Sequence, residues 1–373
     1  MSELRVTHLV LGLGKGGAET MLYNILKYRT DNSPQYKVVS LGLTHYYEEK
    51  IKNLGIELCE IEVKKNPIGW IRLIANIKKE ISDADVVCSW MYGANLLSYY
   101  CRRKGQKLIW CIRHSDLSPE NNSKKTIIIN RICARLSRRV DLITYNGYRA
   151  KMNHEAAGYA PKESRVLLNG LDLTEFKNDE ELAKSARIEY KIGTDKIILL
   201  SVARDKKIKD LPTFVKTVFE VRKKYQNVVG VMCGSGVDEK NRILVDECKQ
   251  LNLIIGKDIF LLGFCDDVPK LMNMADVFVL HSLGEAFPNS LIQAMACETP
   301  VVSTDVGDAE EILNSKEYVS DPGDEIELSK NIIDILSLDN IEKNHLLEDN
   351  RNRVIKYYEI TDIVKNYESA YGL

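Results

Sequence analysis

No stretch of this 373-residue chain approaches the ~20 consecutive apolar residues of a membrane-spanning helix, so an integral helical membrane protein is excluded. No charge predominates: 52 Lys+Arg stand against 53 Asp+Glu, and nothing global points to a nucleic-acid partner. The start, Met1-Ser2-Glu3-Leu4-Arg5, lacks the basic opening and apolar core of a signal peptide and runs straight into a strand pattern. Nine cysteines (59, 88, 101, 111, 133, 233, 248, 265, 297) include no C-x-x-C pair, so they read as reduced, mostly buried thiols, with neither disulfide nor zinc site implied. Low-complexity segments and tandem repeats are missing as well. A soluble, cytoplasmic protein is the expectation, and its length exceeds what one core holds, which suggests two domains.

What is present is alternation. Strand-like runs at Val6–Leu11, Lys37–Leu41, Val86–Ser89, Leu108–Ile112 and Leu142–Tyr145 are interleaved with helical stretches at Glu19–Tyr28, Tyr47–Leu54, Ala94–Lys104 and Ile127–Ser137. The pattern restarts after Asn169-Gly170-Leu171-Asp172 with Ile197–Val202, Leu211–Lys224, Val228–Cys233, Ile243–Leu251, Ile259–Leu262 and Val268–Met274. Such α/β alternation predicts doubly wound parallel sheets: two Rossmann-like domains, 1–168 and 173–356, facing each other across a cleft. The final stretch, Ile360–Tyr371, is helical by pattern.

Residues 281–311 are the most informative. The apolar run Val277–Leu280 ends at a polar loop with one acidic residue, Glu285; Pro288 and Asn289 then open a helix over Leu291–Cys297, and Thr299-Pro300 stops it before Val301-Val302. This places a carboxylate and the amides of a helix start together at a strand's C-terminal edge. The amides suit a phosphate, and the carboxylate suits hydroxyl donors, which together describe a sugar-phosphate site. The stretch resembles the donor-site motif of family 4 (group 1) retaining glycosyltransferases of GT-B fold, roughly P-S-x-x-E-G-F-P-x-x-L-x-E-A-M-A-x-G-x-P-V-V-x-T-x-x-G-G. Glu285, Phe287, Pro288, Leu291, Ala294, Met295, Ala296, Pro300, Val301, Val302, Thr304 and Gly307 match in register. Ala286 replaces a Gly, Asp308 replaces the second Gly of the closing pair, and Gln293 stands where the second Glu belongs, the position that holds the donor's ribose. The resemblance covers nearly the whole chain, strongest over 259–311 and weakest over 30–85. It implies that Asn169–Asp172 is the interdomain linker and that the tail, about 357–373, crosses back to the first domain.

The first strand leads into Gly12-Leu13-Gly14-Lys15-Gly16-Gly17, literally a G-x-G-x-x-G dinucleotide fingerprint. A dehydrogenase needs an acidic residue ending the second strand, and after Lys37–Leu41 none follows until Glu48. The other reading is the family's G-G-A-E, matched by Gly16-Gly17-Ala18-Glu19, whose paired glycines let backbone amides approach the donor's diphosphate.

Ser201-Val202-Ala203-Arg204-Asp205-Lys206-Lys207-Ile208-Lys209-Asp210 resembles the family's G-R-L-x-x-x-K-G, with Arg204 and Lys209 at the Arg and Lys. Two fixed cations can stabilise a leaving diphosphate in place of Mg²⁺, so no metal is expected. An Asp-x-Asp metal pair is present literally as Asp83-Ala84-Asp85 but precedes a buried-looking strand, where it reads as a helix-to-strand turn.

Arg113 and His114 follow the strand Leu108–Ile112, at an edge that in open α/β sheets faces the ligand crevice. The resemblance puts His114 near the transferred sugar, hydrogen-bonding to it or to the charge at its anomeric centre. Trp90, Tyr92 and Asn95 are expected to line the same mouth with Arg113, on the acceptor side. The resemblance also assigns Gly234, Phe264, the run Glu285–Leu291 (with Asn289 and Ser290) and Gln293 to donor binding.

Between Arg102 and Lys151 there are thirteen Lys/Arg and three Asp/Glu, and Lys124–Arg139 mixes basic and bulky apolar residues at helical spacing. Two readings stay open: a packed helix with a solvated basic side, or a face for anionic membrane.

The resemblance thus implies an enzyme moving a sugar from a nucleotide-diphosphate sugar, a UDP-sugar, to a glycan or polyprenyl-diphosphate-linked acceptor with retention, in bacterial O-antigen or capsule assembly at the inner membrane face. No cofactor beyond the donor is implied. The alternatives are a GT-B-fold UDP-sugar 2-epimerase and a non-catalytic sugar-nucleotide-binding subunit.

Overall fold

The computed structural model describes residues 4–64 and 66–372; Met1–Glu3 of the chain start and Leu373 of the expected tail lie outside them. The chain forms two compact units, one running to Gly170 and resuming at Ile360, the other comprising Leu171–Glu359. Both boundaries fall at chain positions that leave Ile360–Tyr371, a helix, packed within the first unit.

The first unit holds β1 (Arg5–Val10), β2 (Gln35–Ser40), β3 (Glu57–Glu60), β4 (Val86–Trp90), β5 (Lys107–Ile112), β6 (Leu142–Tyr145) and β7 (Glu163–Val166), in the order β3-β2-β1-β4-β5-β6-β7. All neighbours run parallel, as in Val6↔Val86 and Cys88↔Ile109. Alternate residues of a strand face opposite sides, and the two cores follow that parity. Val6, Val10, Val86, Cys88, Trp90, Ile109 and Cys111 pack against the helices Gly17–Lys27 and Ile360–Tyr371. Leu9, Val87, Leu108, Trp110 and Ile112 pack against Pro67–Glu80, Met91–Cys101 and Lys124–Leu136.

The second unit holds β8 (Ile197–Val202), β9 (Val228–Cys233), β10 (Ile259–Leu261), β11 (Val277–Leu280), β12 (Val301–Thr304) and β13 (Val319–Ser320), in the order β10-β9-β8-β11-β12-β13, again all parallel. Leu199, Val228, Met232, Val277, Val279 and Val302 meet the helices Leu211–Arg222, Arg242–Gln250 and Glu325–Ser337. In each sheet the strand order reverses once, between β1 and β4 and between β8 and β11. An open parallel sheet presents its ligand crevice at the carboxyl ends of the strands beside such a reversal.

The helix expected over Leu291–Cys297 runs Asn289–Ala296, because Pro288 already serves as its N-cap. All nine cysteines are free; seven are buried, and Cys59 and Cys265 are half-buried. Among the described residues no helix is long and apolar enough to cross a membrane.

Candidate active site

The loops that leave β8 and β11 flank the reversal of the second sheet, and they carry the charges singled out above. Lys209 sits in a short 3₁₀ turn, Lys207–Lys209, after β8, and Glu285 in the loop after β11. The Lys209 ammonium pairs with Glu285 Oε1, and both side chains are mostly covered, 21% and 12% exposed. Ser282 Oγ donates to the same carboxylate oxygen at 2.8 Å, so Oε1 is held by two donors. Thr304 Oγ1 in turn donates to the Ser282 carbonyl at 2.7 Å, tying the loop to β12. A carboxylate fixed beside an ammonium can accept sugar hydroxyls while the cation serves a phosphate.

Arg204 is exposed, and its backbone is shaped by a glycine just past the next strand. Gly234 follows β9 with φ +149, and a Cβ there would lie 2.0 Å from the Ala203 carbonyl oxygen and 3.1 Å from the Arg204 nitrogen. No side chain fits, which explains glycine here without invoking a ligand. Phe264, in the loop after β10, is 55% exposed.

Past Glu285, Phe287 and Pro288 are buried and anchor the helix Asn289–Ala296, whose start has no side-chain cap. Ala286, Asn289, Ser290 and Gln293 are half-buried, whereas Leu291 is fully buried and packs inward, so it supports the helix from behind. The methyl group at 286 is accommodated because its φ is not positive. Gly307 does need its glycine: at φ +56 a Cβ would stand 3.1 Å from the Glu285 carbonyl oxygen and 3.2 Å from that of Ala286. A further departure from the motif escaped the sequence reading. Glu298 occupies the motif's helix-ending glycine and adopts φ +56, a left-handed conformation that glycine takes without strain.

In the first unit, Gly16 is the N-cap of Gly17–Lys27, again without a side-chain cap. Glu19 folds back over Gly16: a Cβ there would lie 2.4 Å from Glu19 Oε2, the movable end of a flexible side chain. Gly12 and Gly14 instead make room for Thr44 of the loop after β2, whose Oγ1 would be 2.5 and 3.0 Å from added Cβ atoms. The literal dinucleotide fingerprint is thus partly a packing feature. Asp83 and Asp85 lie in the turn between Pro67–Glu80 and β4; Asp85 Oδ2 accepts the Arg5 N–H at 2.9 Å and Asp83 lies 3.8 Å from the Arg5 guanidinium. Among the described residues, the three metal-capable side chains that come close together are His45, Glu48 and Glu60, outside both glycine and charge motifs.

Three of the four acceptor-side residues, Trp90, Tyr92 and Asn95, are a correction. Trp90 is 3% exposed and belongs to the face of the first sheet covered by Ile360–Tyr371: its Nε1 donates to His8 Nδ1 at 3.2 Å and its ring stacks on Tyr367. Tyr92 is 5% exposed, its hydroxyl 2.7 Å from His154 Nε2. Asn95 is wholly buried against Ser89. None of the three lines a surface. The Arg113 guanidinium lies beside the stacked Trp90 and Tyr367 rings, 5.2 and 5.3 Å from their centroids, and donates to Asn169 Oδ1 at 2.6 Å. Burial lowers its pKa to about 10, and its Nε and Nη2 have no hydrogen-bond partner among the described residues. His114 remains half-exposed, with Nε2 3.1 Å from Asn122 Oδ1.

The helix Lys124–Leu136 buries Cys133 and Ala134 and presents Lys124, Lys125, Ile128, Arg131 and Arg135 outward, continued by Arg138 and Arg139. Beside it a hollow of about 1240 Å³ at the N-terminal ends of the strands is bordered by Arg102, Arg103, Lys104, Lys107, Arg139 and Lys162.

Comparison with known proteins gives this geometry its place. The sequence profile described as "Glycosyl transferases group 1" matches residues 183–364, and that described as "Glycosyltransferase Family 4" matches residues 15–175. The chain is 26% identical over 324 residues to the putative glycosyltransferase EpsF of Bacillus subtilis (strain 168), covering 82% of this chain and 80% of that one. It is 28% identical over 217 residues to the N-acetyl-alpha-D-glucosaminyl L-malate synthase of Bacillus anthracis, 56% of this chain and 54% of that one. Its fold matches Anabaena Alr3699/HepE, crystallised with UDP and glucose, with TM-score 0.86 at 19% identity over 99% of this chain and 100% of that one. The chain belongs to the family 4, or group 1, glycosyltransferases, and its two α/β units have the GT-B fold.

Proposed function

We propose that the chain transfers a sugar from a nucleotide-diphosphate sugar, a UDP-sugar, to a glycan or polyprenyl-diphosphate-linked acceptor, with retention of anomeric configuration and without a divalent metal. The observation that carries this reading is the Lys209–Glu285 pair at the strand reversal of the second sheet, next to an uncapped helix start. Lys209 and Arg204 neutralise the charge that builds on the leaving diphosphate, while Glu285 accepts hydroxyls of the transferred sugar. The leaving phosphate oxygen assists deprotonation of the acceptor on the same face. Gly16 and Gly17 offer backbone N–H groups to an anion, and His114 hydrogen-bonds the sugar. That HepE was crystallised with UDP and glucose supports a UDP-sugar as donor. The engagement of Asp83 and Asp85 with Arg5 supports a reaction without a metal. The outward basic residues around Ile128 support contact with the anionic inner face of a membrane, where a polyprenyl-linked acceptor for O-antigen or capsule assembly resides.

Incubation with a panel of UDP-sugars, with and without membrane extract, tests the reading. Release of UDP that depends on extract, and survives excess EDTA within about twofold, is expected; Arg204→Ala should lose on the order of 10²-fold in kcat/KM. Loss of turnover in EDTA with rescue by Mn²⁺ overturns the metal-free mechanism. UDP release that ignores the extract points to epimerisation or hydrolysis instead.

A further inference from the structure

His281 stands where the motif P-S-x-x-E has its proline, and it is only 2% exposed. Its Nδ1 lies 3.1 Å from the Asp210 carbonyl oxygen and its Nε2 2.6 Å from Ser201 Oγ. Burial pushes its pKa down to about 4, so the ring is neutral near pH 7. A carbonyl oxygen can only accept. Nδ1 therefore carries the hydrogen, and Nε2 accepts from the Ser201 hydroxyl, a single tautomer serving both bonds.

The residue it holds is itself unusual. Asp210 stands at the final glycine of G-R-L-x-x-x-K-G and adopts φ +48, ψ 53, the left-handed region that an L-residue enters at a cost glycine does not bear. Thr213 Oγ1 donates to Asp210 Oδ2 at 2.6 Å, and the Asp210 N–H reaches the Lys207 carbonyl at 3.2 Å. On the other side of the same turn the Leu283 N–H donates to the Ile208 carbonyl at 2.8 Å. The turn that presents Lys209 is thus tied to the loop that presents Glu285 at His281, at Leu283 and through the ion pair itself. Two residues that depart from the motif, Asp210 and His281, are bonded to each other. A glycine at 210 would need no such support; an aspartate does.

We propose that His281 is a positioning residue for sugar transfer: its Nδ1–H bond to the Asp210 carbonyl sets the Lys209 ammonium against Glu285 in the donor site. The inference rests on the reading of Lys209 and Glu285 as donor-site charges. An Asn amide at 281 can place an N–H near the Nδ1 position, whereas a Gln amide reaches only toward Nε2.

His281→Asn should keep kcat within about threefold, and His281→Gln should lose roughly tenfold, the scale of one hydrogen bond, with donor affinity changed by less than about threefold. In a Lys209→Ala background the His281→Gln loss should vanish, because there is no ammonium left to position. Equal kcat for the Asn and Gln variants, or a Gln loss undiminished by Lys209→Ala, overturns the proposal. A silent Lys209→Ala overturns the donor-site reading itself, and is distinguishable because it needs no change at 281. Should either variant fail to fold, long-range ¹H–¹⁵N correlation on the wild-type protein reads the tautomer directly. Nδ1–H supports the proposal, and Nε2–H overturns it.

Discussion

At the carboxyl ends of β8 and β11 the loops gather charge: the partly covered Lys209–Glu285 pair and the exposed Arg204 flank the strand reversal. At the carboxyl ends of β4 and β5, beside the equivalent reversal, Trp90 and the Arg113 guanidinium turn inward. There they meet His8, Tyr367 and Asn169 beneath the helix Ile360–Tyr371. That helix also brings the buried Glu368, which accepts from Tyr36 at 3.2 Å and from Ser33. Two edges of the same topology are therefore filled differently, one by a charged pair with an exposed arginine beside it and the other by a polar and aromatic plug. Position on a strand edge does not by itself make a residue functional. Whether its parity points it at a covering helix decides the matter.

The comparison breaks most visibly at Glu285. Glu285→Gln should lower kcat by roughly 10³-fold, because the charge lost is one that matters more as the transferred sugar becomes cationic. Its effect on the thermal midpoint should be small, since Ser282 and Lys209 can still bond an amide oxygen. Steady-state kinetics with the true donor check this, and a mild variant would put the two edges on the same footing.

Trp90→Ala should show the opposite signature. Removing a buried indole that stacks on Tyr367 and bonds His8 should cost roughly 3–5 kcal/mol of stability, read by chemical denaturation, while the folded fraction keeps its turnover within a few-fold. A stable Trp90→Ala whose acceptor KM rises sharply would instead restore Trp90 to the mouth.

These assignments mark where the sequence was readable. Strands β6, β8, β9 and β11 and the helices Val268–Met274 and Ile360–Tyr371 were legible to the residue, because apolar runs there are bounded by clear turn signals. The helix Pro67–Glu80, with Ile68, Trp70 and Ile71 exposed, and the short strands β3 and β7, each with an exposed Glu at its start, were not, because their patterns do not separate inside from outside. In the second unit the motif picked out Lys209 and Glu285, which the structure pairs, and Gly307, whose backbone requires glycine. It could not show that Trp90 faces inward, since parity relative to the distant helix Ile360–Tyr371 is not written locally, nor that Asn95 turns its amide back onto Ser89. His281 was missed although a signal existed: a histidine in place of the motif's proline, next to an apolar strand, asks for a buried partner.

Acid should separate the two units. Burial depresses His8 to about 3 and His154 and His281 to about 4, all from 6.5. A depressed histidine is neutral in the folded chain while the unfolded chain binds the proton, so stability is full above about pH 6.5 and falls as pH drops toward 4. The shifts correspond to roughly 3 kcal/mol each for His154 and His281 and roughly 5 kcal/mol for His8 at the acid end. Two of the three histidines lie in the first unit, as do all three tryptophans, Trp70, Trp90 and Trp110. Tryptophan fluorescence should therefore report a loss of stability between pH 6.5 and 4.5 that is steeper than the loss followed by hydrogen exchange in the second unit. Parallel decline of both signals would mean that the histidines do not set the acid response.

The smallest effect is expected at Gln293, and it sharpens the comparison from within the second edge. Gln293 lies half-buried in Asn289–Ala296, at the motif position of the second glutamate. A ribose diol offers two hydroxyl donors; a carboxylate accepts both, whereas an amide has one acceptor oxygen. The difference between a charged and a neutral hydrogen bond is roughly 1 kcal/mol, and the ribose takes no part in bond breaking, so this difference belongs to ground-state binding. Gln293→Glu should then leave kcat nearly unchanged and lower donor KM by up to about fivefold. If Gln293→Glu raised kcat toward the size of the Glu285→Gln loss, position 293 would act in the transition state. The carboxylate at 285 would then no longer be the one negative charge at this edge that the reaction requires.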